Sequence, residues 1–125
     1  MKDREIIITN YVTAYNNFDV DGMVADFDEN IVFENMVNDE VTMELNGIEE
    51  FRNQAVQAID LFASRQQTIT KFIHNEDWSE IEIEYFAVLA MDLPNGLKKG
   101  DELDMTGKSI FEFSENKIVR LTDIS

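Results

Sequence analysis

Tyr11-Val12-Thr13-Ala14-Tyr15-Asn16-Asn17-Phe18-Asp19-Val20-Asp21-Gly22-Met23-Val24-Ala25-Asp26-Phe27 carries two helical patterns joined at one capping residue. On its upstream side Ile7, Tyr11, Ala14, Tyr15 and Phe18 recur at steps of three and four, the spacing of a single helical face. Asp19 offers the side-chain acceptor that an N-cap needs, and Val20, Met23, Val24 and Phe27 form the buried side of a short second helix. Asp19-Val20-Asp21-Gly22 superficially suggests a calcium loop, but the later ligands are missing, so the cap reading stands.

Working outward, Ile31 to Met36 is rich in β-branched and aromatic residues and reads as a strand. Val41 to Leu45 reads as a short strand or an ordered loop. A third helix has Asn46 as its cap and Glu49 three residues later in a capping-box arrangement. Ile48, Phe51, Ala55, Ala58, Ile59 and Phe62 form its stripe. Four strands are predicted after it, at 65–75, 80–92, 103–113 and 117–124. In the second of these Ile81, Ile83, Tyr85, Ala87, Leu89 and Met91 share one face. The other face begins with Glu80, Glu82 and Glu84, a solvated run, and ends with Phe86, Val88 and Ala90. Breaks fall at Leu93 to Gly100 and at Ser114-Glu115-Asn116. Helices first and short-linked strands afterwards predict a single antiparallel α+β domain over residues 1–125.

The 125 residues carry 26 acidic against 10 basic side chains, a formal charge of −16, with 44% hydrophobic residues. That is enough apolar material for a core, and the length suits one domain. Nucleic acid and anionic membranes share the sign of the chain and are excluded as partners. The absence of cysteine removes thiolate chemistry and disulfides and fits a cytoplasmic location. Met1-Lys2-Asp3-Arg4-Glu5 before three isoleucines is too acidic and too short for a signal peptide. The longest apolar run, Tyr85 to Met91, falls well short of the ~20 residues of a membrane span.

His74 is the only histidine, and no phosphate loop or Gly-x-Ser-x-Gly elbow occurs, so no metal and no cofactor are expected. What remains is a pocket for a small apolar ligand. Tyr11 and Tyr15 sit on the buried face of the first helix, and a buried phenol needs a partner. The first strand delivers Glu34 and Asn35 just after Phe33, and His74 comes late in a strand near the Asn75-Glu76-Asp77 turn. Trp78 reads as packing or interface, and Asn38-Asp39-Glu40 as a loop.

The opening stretch, followed by Asp28-Glu29-Asn30 and a strand, resembles ketosteroid isomerases and SnoaL-type polyketide cyclase-like proteins of the nuclear transport factor 2-like superfamily. Gly47 at the third helix and four closing strands extend the resemblance over essentially the whole chain. It implies a curved antiparallel sheet wrapped around three helices, a cystatin-like cone whose mouth admits a small apolar ligand. It also implies a pocket bounded by Tyr11, Tyr15, Phe27, Phe33 and Asn35, with Phe51, Ala55 and Ser109. In the isomerases a helical tyrosine, a carboxylate at the end of the first strand and a protonated acid on a later strand share the chemistry. Tyr11 matches the first role, whereas Asn35 and Ser109 fall at the other two. An amide has no useful basicity near neutral pH, so steroid isomerase activity is not expected.

Two function classes follow. The first is an acid/base enzyme of isomerase or cyclase type on a small hydrophobic carbonyl compound. Tyr11 and Tyr15 would hold oxygen, Asn35 would orient, and His74, Asp104 or Asp123 would move protons. The second is a non-catalytic module that binds a ligand or a partner. An epoxide hydrolase would need an Asp-Arg-Asp relay, and Arg52, Arg65 and Arg120 all read as exposed. A homodimer through the sheet face is expected, because Phe86, Val88 and Ala90 lie opposite an apolar face that three helices already cover.

Overall fold

A computed structural model describes residues 2–125. The order is α1 (Lys2–Asn16), α2 (Val20–Val24), β1 (Phe27–Val37), β2 (Glu40–Asn46) and α3 (Ile48–Ile59). β3 (Phe62–His74), β4 (Trp78–Leu89), β5 (Glu102–Ser114) and β6 (Lys117–Ile124) complete it. The α+β class read from the sequence is the one observed. The strands form one curved, unclosed sheet in the order β2-β1-β6-β5-β4-β3, with the helices packed on its concave face.

The last four strands pair antiparallel in succession, as expected. The sheet as a whole is mixed, however, because β1 lies parallel to β6. That pairing joins the first strand to the last, and no local pattern announces it. Two-residue turns close the β1–β2 and β5–β6 hairpins. Asn38 and Asp39, and Glu115 and Asn116, all take positive φ, the left-handed pair whose twist suits a tight hairpin. The undecided segment Val41–Leu45 is therefore a strand.

Several boundaries move. The third helix stops at Ile59, and Phe62 opens β3 instead of ending the helical stripe. Phe27 opens β1 instead of closing α2, yet stays buried. β4 ends at Leu89, so Met91 lies beyond it and is exposed. Asp19 does cap α2, accepting from the Gly22 amide at 3.0 Å. The cap of α3 is displaced by one residue. Gly47 is the N-cap at φ +89°, and the Glu50 carboxylate accepts from the Asn46 amide at 2.9 Å. The cause is the Gly47 amide, which donates to the Ile31 carbonyl at 2.7 Å and fixes a backbone conformation that side chains resist.

The core lies between α1, α3 and the sheet, with Ile8, Ile31, Ile81, Phe111 and Leu121 closed to solvent. An aromatic chain runs through it. Tyr11 stacks on Phe27 at 5.7 Å, Phe27 meets Phe51 edge-on at 4.9 Å, and Phe51 meets Phe33 at 5.4 Å. Asn16 ties the end of α1 to the edge strand, accepting from the Gln67 amide at 2.7 Å and donating to its carbonyl at 3.0 Å. These contacts hold α1 across the concave face and leave a gap between it, α3 and the sheet.

Candidate functional site

Residues directly opposite one another on paired strands point to the same face of a sheet. Asn35 on β1 lies opposite Asp123 on β6, and Asp123 lies opposite Ser109 on β5. This row of three polar side chains faces the helices. Above it α1 presents Tyr11 and Tyr15, and together they border a cavity of about 210 Å³ that opens to solvent. Phe33, Met43, Phe51 and Ala55 supply its apolar wall. A second recess of about 170 Å³ adjoins it, sharing Tyr15, Asn35 and Asp123 and reaching Ser109 and Tyr85.

The Asp123 carboxylate accepts from the Ser109 hydroxyl at 2.7 Å. Burial penalises its charged form and pushes its pKa up to about 6, although the Ser109 hydrogen bond pulls the other way. The Tyr11 hydroxyl is held well above its ordinary range, by burial first and then by the nearby charge of Asp123. Tyr15 and Tyr85 share a hydrogen bond of 3.0 Å between hydroxyls, and burial raises both. The site therefore holds un-ionised phenols as donors beside a carboxyl group poised close to neutrality. That combination can stabilise a developing oxyanion and exchange a proton.

Arg65 enters the same cavity, contrary to the exposed context read from the sequence. It is 5% exposed, and its Nε donates to the Tyr15 carbonyl at 2.9 Å. Its guanidinium lies 3.8 Å from the Tyr15 ring centroid and 4.6 Å from that of Phe18. Arg52 and Arg120 are the more exposed pair, bonded to Asp21 and Glu34 respectively.

The remaining sequence candidates separate cleanly. Tyr11, Tyr15, Phe33, Asn35, Phe51, Ala55 and Asp123 border the main cavity, and Ser109 borders the adjoining recess. Phe27 does not border either; it backs Tyr11 and Phe51 from behind. Asn35 donates to Thr42 Oγ1 at 2.9 Å, while Glu34, one residue earlier, turns to the other face and pairs with Arg120. Asp104 is not in the cavity. It lies opposite Phe86 on the convex face, because strand alternation turns Leu103 and Met105 inward. His74 is also elsewhere. Its ring nitrogens lie 2.7 Å from the Ser79 hydroxyl and 2.7 Å from the Glu5 carboxylate, a clasp between β3, β4 and the start of α1. Ser79 is closed to solvent, so the trio is no nucleophilic triad.

Arg65, Tyr85, Gln54 and Gln67 are polar cavity residues the sequence reading did not single out. Tyr85 was legible as the polar group in the Ile81–Met91 face. Among the described residues no group of three His, Cys, Asp or Glu side chains is placed to hold a metal. No helix there is long and apolar enough to cross a membrane. A wider depression of about 650 Å³ over Gly47 and the start of α3 is lined with Glu29, Glu49 and Glu50, unlike the apolar cavity.

A curved sheet with helices on its concave face and an apolar cavity between them defines the nuclear transport factor 2-like class of α+β cones. Within that class the chain belongs to the SnoaL-like domain family, which it matches over residues 8–121. Family and fold point to small-molecule binding or cyclase-type chemistry as the class of function. A candidate polyketide cyclase of Xanthomonas campestris pv. campestris superposes with a TM-score of 0.85 at 18% identity, covering 99% of this chain and 90% of that one. A SnoaL-like candidate polyketide cyclase of a Jannaschia species gives 0.82 at 8% identity, covering 98% and 84%. A protein of ketosteroid isomerase-like fold from Catenulispora acidiphila, solved with trimethylamine, gives 0.78 at 14% identity, covering 94% and 82%. At these identities the likeness carries the fold and not the activity. No curated protein matches the chain.

Proposed function

We propose that the protein is an acid/base enzyme of isomerase or cyclase type that acts on a small hydrophobic carbonyl compound. The observation that carries this is the Asp123 carboxyl, raised to about 6 inside an apolar cavity that also holds Tyr11 and Asn35. A carbon-bound proton next to a carbonyl becomes removable when a base and oxyanion donors converge away from water. Asp123 as carboxylate takes that proton, and the electron pair of the C–H bond moves to the carbonyl oxygen. The Tyr11 hydroxyl donates to that oxygen, and the Asn35 amide orients the ligand. Asp123, now protonated, returns the proton to another carbon or to the same one. The non-catalytic alternative requires no titrating group in the cavity, and Asp123 is what favours catalysis over it.

Steroid isomerisation is not part of the proposal, because the Asn35 amide has no useful basicity at the position where the resemblance would put a carboxylate base. A cytoplasmic location and a homodimer through the convex sheet face complete it. The dimer is supported by Phe86, 42% exposed there. The test is deuterium incorporation from D₂O into the carbon next to the carbonyl of a small aryl ketone such as acetophenone. Wild-type protein should accelerate it and Asp123→Asn should not; equal rates for the two proteins would refute the role of Asp123.

A further inference from the structure

Arg65 carries a full positive charge that the protein does not neutralise. Among the described residues the side-chain ion pairs engage Arg52, Lys71, His74 and Arg120, and none engages Arg65. Asp123 shares the cavity but is not its partner. A guanidinium against that carboxylate would pull its pKa down, whereas it is raised. The aromatic faces of Tyr15 and Phe18 offset part of the desolvation, and Nε closes the last turn of α1. Those contacts use one of five N–H donors. Nη2 is buried with no hydrogen-bond partner among the described residues.

An unmatched buried donor on a charged group is costly, and a structural tie to α1 does not require one. A guanidinium in the wall of an apolar cavity, with its charge uncompensated, matches one ligand group best, a carboxylate, by charge and by hydrogen-bond donation. A neutral carbonyl would accept a hydrogen bond but leave the charge uncompensated.

We propose that Arg65 anchors the carboxylate of the ligand, so that the cavity takes a small apolar carboxylic acid as its anion. The hydrocarbon part lies against Phe33, Met43 and Phe51, and the acid group meets the Arg65 guanidinium. The proposal deepens the acid/base function, since it makes the carbonyl substrate an oxo acid, but its test is binding and needs no turnover.

The experiment compares benzoate with benzamide, nearly isosteric and differing in charge, by calorimetric titration of the full chain. Benzoate should bind wild-type protein about tenfold or more tighter than benzamide. Arg65→Met should abolish that preference. Arg65→Lys keeps a cation over Tyr15 but lacks the fork, and should lose about threefold or more of the preference if the Met variant does not fold. Asp123→Asn should bind benzoate at least as tightly as wild type, which separates this proposal from the fate of proton transfer. Equal affinity for the two probes in wild-type protein, no saturable benzoate binding, or a preference that survives replacement of Arg65 would overturn it.

Discussion

Ser109 and Asp123 face each other across β5 and β6, and the Ser109 hydroxyl donates to the Asp123 carboxylate at 2.7 Å. One hydrogen bond does not offset the burial of the carboxylate, so the charged form costs stability. The sign follows from the folded pKa, about 6, lying above the ordinary 3.8. Between those values the folded chain keeps a proton the unfolded chain has released, so stability falls as pH rises through this window. The shift corresponds to roughly 3 kcal/mol once pH exceeds the folded value. Asp123→Asn removes the penalty. Its stability relative to wild type, from urea unfolding, should be near zero at about pH 4 and rise to about 3 kcal/mol at about pH 8. A pH-independent difference would contradict the assignment.

The three tyrosines, Tyr11, Tyr15 and Tyr85, are all raised above the ordinary 10.0 by burial. Ultraviolet titration of the native protein should show less than half of the tyrosines ionised at pH 10.0. Because the raised values favour the unfolded chain at high pH, most of the tyrosinate band should appear together with alkaline unfolding. A normal step for even one tyrosine would place that hydroxyl in solvent.

Phe51 is buried between Phe27 and Phe33, whereas Phe62 is half-buried at the start of β3. Phe51→Ala should cost about 3–5 kcal/mol in denaturant unfolding, and Phe62→Ala distinctly less. Equal losses would restore Phe62 to the stripe of α3.

That difference shows what the sequence could and could not disclose. The helices and the alternation of β4 were legible because each follows from residues a few places apart. Tyr11 and Tyr15 could be placed on the buried face of α1 on the same local grounds, whereas only the family resemblance assigns Asn35 to a cavity. Arg65 could not be placed in either way. Ala58, Ile59 and Phe62 continue a helical period, so the pattern places the start of the strand at Arg65, where no alternation has yet been established. The register shift between Phe62 and Ser64 then resets the face of the residues after it. The Tyr15–Tyr85 hydrogen bond spans seventy positions and the β1–β6 pairing joins opposite ends of the chain, so neither leaves a local trace. Asp104 and Asp123 differ only in which face their strand turns inward, which the sheet decides.

His74 clasps Ser79 and Glu5 away from the cavity. His74→Gln should lower stability by about 1 kcal/mol, the worth of a typical hydrogen bond, and leave benzoate binding and ketone exchange unchanged. Loss of either would return His74 to the site.

Phe86 on the convex face should mark a twofold contact. Sedimentation at micromolar concentration and high salt, which screens the −16 charge on each chain, should show a dimer. Phe86→Asp should shift it to monomer. A wild-type chain that stays monomeric under those conditions would remove the dimer.

The central claim is that Asp123 changes charge close to neutrality within the cavity. It is tested most directly by following its side-chain carboxyl carbon by ¹³C nuclear magnetic resonance from about pH 3 to about pH 9, with the signal assigned by its loss in Asp123→Asn. The expected inflection is at about 6. An inflection at the ordinary aspartate value of 3.8 would show a solvated, permanently charged group and would contradict the proposed chemistry.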